Sequence, residues 1–185
     1  MGVSIHYSGK LQSANQLPAL LEEVKDIANI FEWTTTEFLQ MYPDNKFELK
    51  DNDEDYGIVL GAPHCEPIVL IFDFEGKICA PWIKQFMDEE VSPYMVHCKT
   101  QFAGADVHIK VVELFRYLSK KYFNAFEFLD EADYWETKNK KVVEEKIEFL
   151  DKMISQFAKG LANTAMQEGE SMEDYLLRIA QKIKE

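Results

Sequence analysis

The chain is short of cysteine, of positive charge and of long apolar runs, and each shortage removes a class of protein. Three cysteines, Cys65, Cys79 and Cys98, occur in 185 residues. Their odd number, wide spacing and lack of a C-x-x-C pair argue against a disulfide framework or a zinc knuckle and for a reducing compartment. Twenty Lys and Arg face thirty-three Asp and Glu, giving a formal net charge of -13 and a sequence pI near 4.8. Such a surface repels phosphate backbones, whose binding requires several cationic contacts, so nucleic acid is not an expected partner. A basic protein, a small cationic ligand or a metal ion would be drawn to it, and the plainer alternative is that the acidity keeps the protein soluble. The longest strongly apolar run, Ile68 to Phe72, falls far below the roughly 20 residues of a membrane-spanning helix. The opening MGVSIHYSGK has no apolar signal-peptide segment, and His6 stands where a myristoylation signal has Ser or Thr. The expectation is a cytoplasmic protein without membrane association.

What is present is a core. The chain is 46% hydrophobic with thirteen Phe, and no stretch rich in Pro, Gly or Ser divides it. One α+β domain over residues 1–165 is expected, followed by a C-terminal helix at 166–185 that packs on the domain or enters an oligomer contact, in a monomer or a homodimer. Val3, Ile5 and Tyr7 alternate with polar residues as in a half-buried strand. Leu17, Leu20, Leu21, Val24, Ile27, Ala28 and Phe31 then form a helical stripe behind Pro18. Extended segments follow from about Glu32, at Phe47 to Leu49, at Tyr56 to Leu60 and at Pro67 to Phe74. Gly76 turns the last of these into a hairpin with Lys77 to Ala80. The segment from Pro81 to Met95 reads as a loop. Asp51, Asp53 and Asp55 imitate the start of a calcium loop, but Gly57 and Ala62 then fall where the loop needs Gly one position earlier and a carboxylate, so no metal site is expected there.

From Val96 to Glu136 the pattern is strand, tight turn, helix, strand and a polar-aromatic corner. His97, Lys99 and Gln101 are expected on one strand face, Asp106 at a helix start, and Val107, Val111, Leu114, Phe115, Leu118 and Tyr122 on the helix's buried side. Asn124 is expected to end that helix, and Phe126 and Phe128 to lie in the next strand. Val143, Ile147, Leu150, Ile154, Phe157 and Leu161 repeat every three or four residues and predict a helix of roughly 24 residues from Lys138. The whole order predicts a mostly antiparallel sheet of about five to seven strands, helices on one face and long C-terminal helices. The sequences KTQFAG (Lys99 to Gly104) and DEADYWE (Asp130 to Glu136), with His108 early in the intervening helix and IHYSGKL near the start, resemble an uncharacterised bacterial family of single-domain proteins. The resemblance implies an intact bacterial domain and draws attention to those positions; it names no reaction.

The candidate site residues are His6, Lys99, Gln101, His108, Asp130, Glu131, Tyr134, Trp135 and Glu136. If their strands are neighbours, a cation, an amide, a carboxylate and an imidazole meet in one cleft, as a small hydrolase or transferase requires. The competing reading makes Lys99 and Glu131 a cross-strand ion pair, His108 a packed residue, and Tyr134 and Trp135 the seal of a corner or a recognition surface. No metal-ligand spacing, nucleophile elbow or phosphate loop occurs, so no metal or cofactor is expected. A non-enzymatic acidic binding module, of the kind immunity proteins represent, is therefore the leading expectation, with the enzyme as its alternative.

Overall fold

In the computed structural model, residues 2–38, 56–73, 75–80 and 95–184 are described. Strand β1 (Ser4–Leu11) buries Ile5, Tyr7 and Leu11 and leaves His6, Ser8 and Lys10 half-exposed. The pairing with the last strand shifts register between Lys10 and Leu11, where Lys10 faces Ala125 and Leu11 faces Phe123, while Leu11 keeps the inward alternation of Ile5 and Tyr7. Strands β2 (Thr34–Phe38), β3 (Tyr56–Gly61), β4 (Ile68–Phe72) and β5 (Ile78–Cys79) form a four-stranded antiparallel sheet in that order. Strands β6 (Val96–Lys99) and β7 (Phe123–Asp130) flank β1 in a second antiparallel sheet, ordered β6-β1-β7. The expected α+β class with antiparallel pairing is what the chain adopts, but the strands divide into sheets of three and four where one sheet of about five to seven was expected. All five residues of β4 are buried, as its unbroken apolar run requires.

Helix α1 (Leu17–Ile30) buries Leu17, Leu20, Leu21, Val24 and Ala28, and α2 (Gly104–Tyr122) buries His108, Val111, Val112, Leu114, Phe115, Leu118 and Tyr122. A single turn, α3 (Tyr134–Thr137), leads into α4 (Lys140–Asn163). Helix α5 (Met172–Lys184) folds back on α4, with Ile179 buried and the Tyr175 hydroxyl donating to Thr164 O at 2.7 Å. Two boundaries differ from the sequence pattern. β6 stops at Lys99, and Gln101–Ala103 is a 3-10 turn. β7 begins at Phe123 directly after α2, so Asn124 lies in the strand. The acidic run with Asp51, Asp53 and Asp55, the extended piece at 47–49 and the loop reading of 81–94 lie outside the described residues.

The two sheets are tied along β1. Leu11 N donates to Gly76 O at 2.9 Å beside an antiparallel bridge between Lys10 and Lys77. Deeper in the core, the Tyr7 hydroxyl donates to Val69 O and accepts from Val69 N, both at 2.9 Å. One hydroxyl thus satisfies both polar groups of a β4 residue that β5 is too short to reach, and it does so at a fully buried position. Tyr7→Phe keeps the ring packing against Phe115 (4.2 Å between centroids) but strands both Val69 groups. It is expected to lower the unfolding free energy by about 2–4 kcal/mol, read from the urea midpoint at unchanged m-value.

Candidate functional site

The pleat of the β6-β1-β7 sheet decides which candidate residues can meet. Ile5 pairs with Cys98 on one side and Asp130 on the other, which places Asp130 on the inner face. His6 pairs with His97 and Leu129, and Ser4 with Lys99, which places these residues on the outer face. The nine residues predicted from sequence therefore fall into separate groups, and the single cleft expected for an enzyme does not form from them.

The inner group is sealed. Thr100, His108 and Asp130 are at most 2% exposed. Thr100 Oγ1 lies 2.7 Å from His108 Nδ1, and His108 Nε2 lies 3.1 Å from Asp130 Oδ1. The second contact is close but misaligned for a linear hydrogen bond, so its attraction is chiefly electrostatic. The Thr100 hydroxyl also donates to Val3 O at 3.4 Å, so it stands between the imidazole and the backbone just ahead of β1. The remaining capacity of Asp130 is taken by Ala132 N (2.7 Å to Oδ1) and Trp135 N (2.9 Å to Oδ2). Hydroxyl, imidazole and carboxylate thus stand in line, the composition of a nucleophilic relay, yet none has a surface for a substrate to touch. The arrangement joins the end of β6, the start of α2 and the end of β7.

Gln101 does not share a face with His97 and Lys99. The chain turns at Thr100 (φ −113°, ψ −1°), where Thr100 N and Gln101 N both donate to Val3 O, at 3.0 and 3.1 Å. That turn carries the Gln101 side chain inside, to 1% exposure, where neither amide atom has a hydrogen-bond partner. Gly2 makes room for it. A Cβ there would fall 2.8 Å from Gln101 Oε1 and 2.6 Å from Lys99 Cε.

The outer group is open. His6 Nε2 lies 3.5 Å from Glu131 Oε1, and the His6 and His97 ring centroids are 6.1 Å apart. Glu131 also accepts from Ser4 N at 2.7 Å through Oε2. Lys99 forms no ion pair with Glu131 or Asp130. Its backbone N donates to Glu66 Oε2 at 2.9 Å, and its ammonium sits 5.6 Å from the Phe102 ring centre. The expected Lys99–Glu131 pair is therefore replaced by His6–Glu131, because the register sets Lys99 opposite Ser4 and places Glu131 beyond it. A shallow concavity of about 230 Å³ on this side is lined by His6, Met95, Glu127, Phe128 and Leu129.

The corner residues form a third group. Trp135 packs on Phe128 with tilted rings 4.3 Å apart at their centroids, and the Arg116 guanidinium lies 4.8 Å from the indole ring centre and donates to Trp135 O at 2.6 Å. Tyr134 is half-buried against the core, and Glu136 is exposed. The indole faces a neighbouring ring and a cation of its own chain, so it seals the corner. Thr100 is the member of the inner group that sequence reasoning missed. No local signal marks it, because the turn that ends β6 at Thr100 is set by the distant Val3 carbonyl.

Among the described residues, no group of three or more His, Cys, Asp or Glu could hold a metal ion, and no helix is long and apolar enough to cross a membrane. Comparison with protein-family models, curated proteins and solved structures finds no match.

Burial pushes the Asp130 carboxyl up, but the contact with His108 and the Trp135 and Ala132 N–H groups together hold it below its ordinary value. A carboxyl held lower in the folded chain adds stability above its unfolded pKa, near about 4, and loses it as the pH falls through the folded value. Wild-type unfolding free energy should therefore drop as the pH is taken below about 4. Asp130→Asn should lose about 3 kcal/mol at pH 7 and show a shallower acid-side decline, both measured by urea unfolding across pH.

Proposed function

We propose that the chain is a non-enzymatic acidic binding module of the cytoplasm that holds a basic polypeptide, a role of the immunity-protein type. The observation that carries this reading is the outer side of β7. β7 is the outer strand of its sheet and presents Glu127, Leu129 and Glu131 to solvent, with Leu129 60% exposed. Glu136 is exposed nearby, Asp133 is already paired with Lys146, and Met95 and His6 adjoin the apolar centre. An exposed strand with a small apolar patch and a charged rim matches an extended segment that adds to the sheet edge, with cationic side chains against the carboxylates. The net charge of -13 steers a basic partner toward it. The concavity of about 230 Å³ beside His6 is below the usual range of small-molecule sites, about 300–1,000 Å³, while a second, mainly apolar cavity of about 430 Å³ between Glu131, Val3, Val142, Phe149 and Leu150 falls within it. The alternative of a small hydrolase or transferase has less support, since the inner polar groups are sealed and the outer ones lie on an open face.

The test is capture from an extract of the source cells by immobilised protein at low and high salt, with identification of what is retained. A discrete basic polypeptide is expected, released by salt and bound about tenfold more weakly by the Glu127→Lys, Glu131→Lys double variant. Equal retention by that variant would count against this surface. Turnover of ester, amide or phosphoester substrates that disappears in Thr100→Val would favour the enzyme.

A further inference from the structure

Cys65 and Cys98 are distant in the chain and adjacent in the fold. After β3 the chain turns sharply: Cys65 N donates to Ala62 O at 3.2 Å, and His64 takes a left-handed φ of 58°. This swings Cys65 back toward β6. There Glu66 N donates to Lys99 O at 3.0 Å, Lys99 N donates to Glu66 Oε2 at 2.9 Å, and Cys98 Sγ lies 3.1 Å from Glu66 O. These three contacts dock the 62–67 connection on the end of β6 and set Cys65 beside Cys98, whose thiol donates to Glu66 O. Their exposures differ. Cys98 is fully buried, while Cys65 is half-buried among the exposed residues Pro63, His64, Glu66 and Pro67.

We propose that Cys65 and Cys98 form a peroxide-reactive dithiol, in which Cys65 is the sulfur that meets the oxidant and Cys98 the sulfur that resolves it. The Cys65 thiolate attacks one oxygen of hydrogen peroxide; an S–O bond forms, the O–O bond breaks, and the departing hydroxide takes a proton to become water. Cys98 then attacks the Cys65 sulfur; the S–S bond forms, the S–O bond breaks, and the hydroxide leaves with the Cys98 proton as a second water. Two thiols lose two electrons and the peroxide gains them.

The asymmetry of the pair supports the assignment. The contact with Cys98 draws the Cys65 pKa down against burial and the nearby Glu66 carboxylate, while that same contact, burial and Glu66 push the Cys98 thiol up. The oxidant reaches the half-buried Cys65 sulfur and not the fully buried Cys98 sulfur, and the lowered pKa lies on the accessible one. The disulfide would clamp the 62–67 connection to β6 beside Lys99 and Thr100. Cys79, 2% exposed on β5, lies outside the pair.

The experiment is oxidation of the folded, reduced protein with a small excess of hydrogen peroxide, followed by intact-mass measurement and peptide mapping without reduction. The expected result is a loss of two hydrogen masses, one cross-linked peptide joining Cys65 to Cys98, an unmodified Cys79 and full reversal by dithiothreitol. A Cys98→Ser variant should stall at sulfenic acid on Cys65, trapped by dimedone. No cross-link in the folded protein, a cross-link through Cys79, or oxidation only after unfolding would overturn the assignment. The wild-type peptide map decides the matter even if the serine variant does not fold.

Discussion

The contact between the Asp130 carboxylate and the His108 imidazole is the constraint on which the rest of this half of the molecule depends. Both groups are buried, so neither has water to replace a lost partner, and a buried charge left alone costs several kcal/mol. Each therefore fixes the elements that carry the other. His108 sits in the second turn of α2, Asp130 at the last position of β7, and Thr100 at the end of β6. Val3, which receives the turn after Thr100, draws in the start of β1. The two backbone groups held by Asp130 then set the corner that leads to Trp135 and α4. A polar knot of this kind adds less net stability than an apolar core of the same volume. What it adds is a requirement that four chain segments arrive together in one register.

That knot also explains why the residues that look most chemical in the sequence do not converge in one cleft. A sheet separates neighbours along a strand by the alternation of its pleat. Asp130 and Glu131 are consecutive in the chain, yet one is bound inside to His108 and the other meets His6 outside. Lys99 and Gln101 are parted by the turn at Thr100. The outer face keeps the imidazoles and carboxylates that solvent or a partner can reach, and the inner face keeps those that hold the fold. A binding reading follows more directly from this division than a catalytic one.

Much of the fold was legible because it rests on periodicity. The stripes of α1 and α2, the unbroken apolar run of β4 and the hairpin at Gly76 all follow from spacing that burial enforces. The site was legible in part. His108 stands three, four and seven residues before Val111, Val112 and Phe115, on the buried stripe, and Asp130 continues the inward alternation of Phe126 and Phe128. A histidine and an aspartate at core positions need each other, and that pairing could have been read. The strand reading of KTQ failed because the turn there is imposed by Val3, nearly a hundred residues earlier, and local pattern carries no trace of a distant carbonyl. The neighbouring thiols of Cys65 and Cys98 were hidden for the same reason.

A double-mutant cycle on His108 and Asp130, read by urea unfolding at pH 7, tests the central claim most directly. His108→Ala, Asp130→Ala and the pair together are measured against the wild type. If the contact organises the fold, each single variant should lose about 3 kcal/mol or more and the double should lose about 2 kcal/mol less than the sum of the two, because the second loss removes a partner already gone. Additive losses, or single variants that unfold at the wild-type midpoint, would contradict the account.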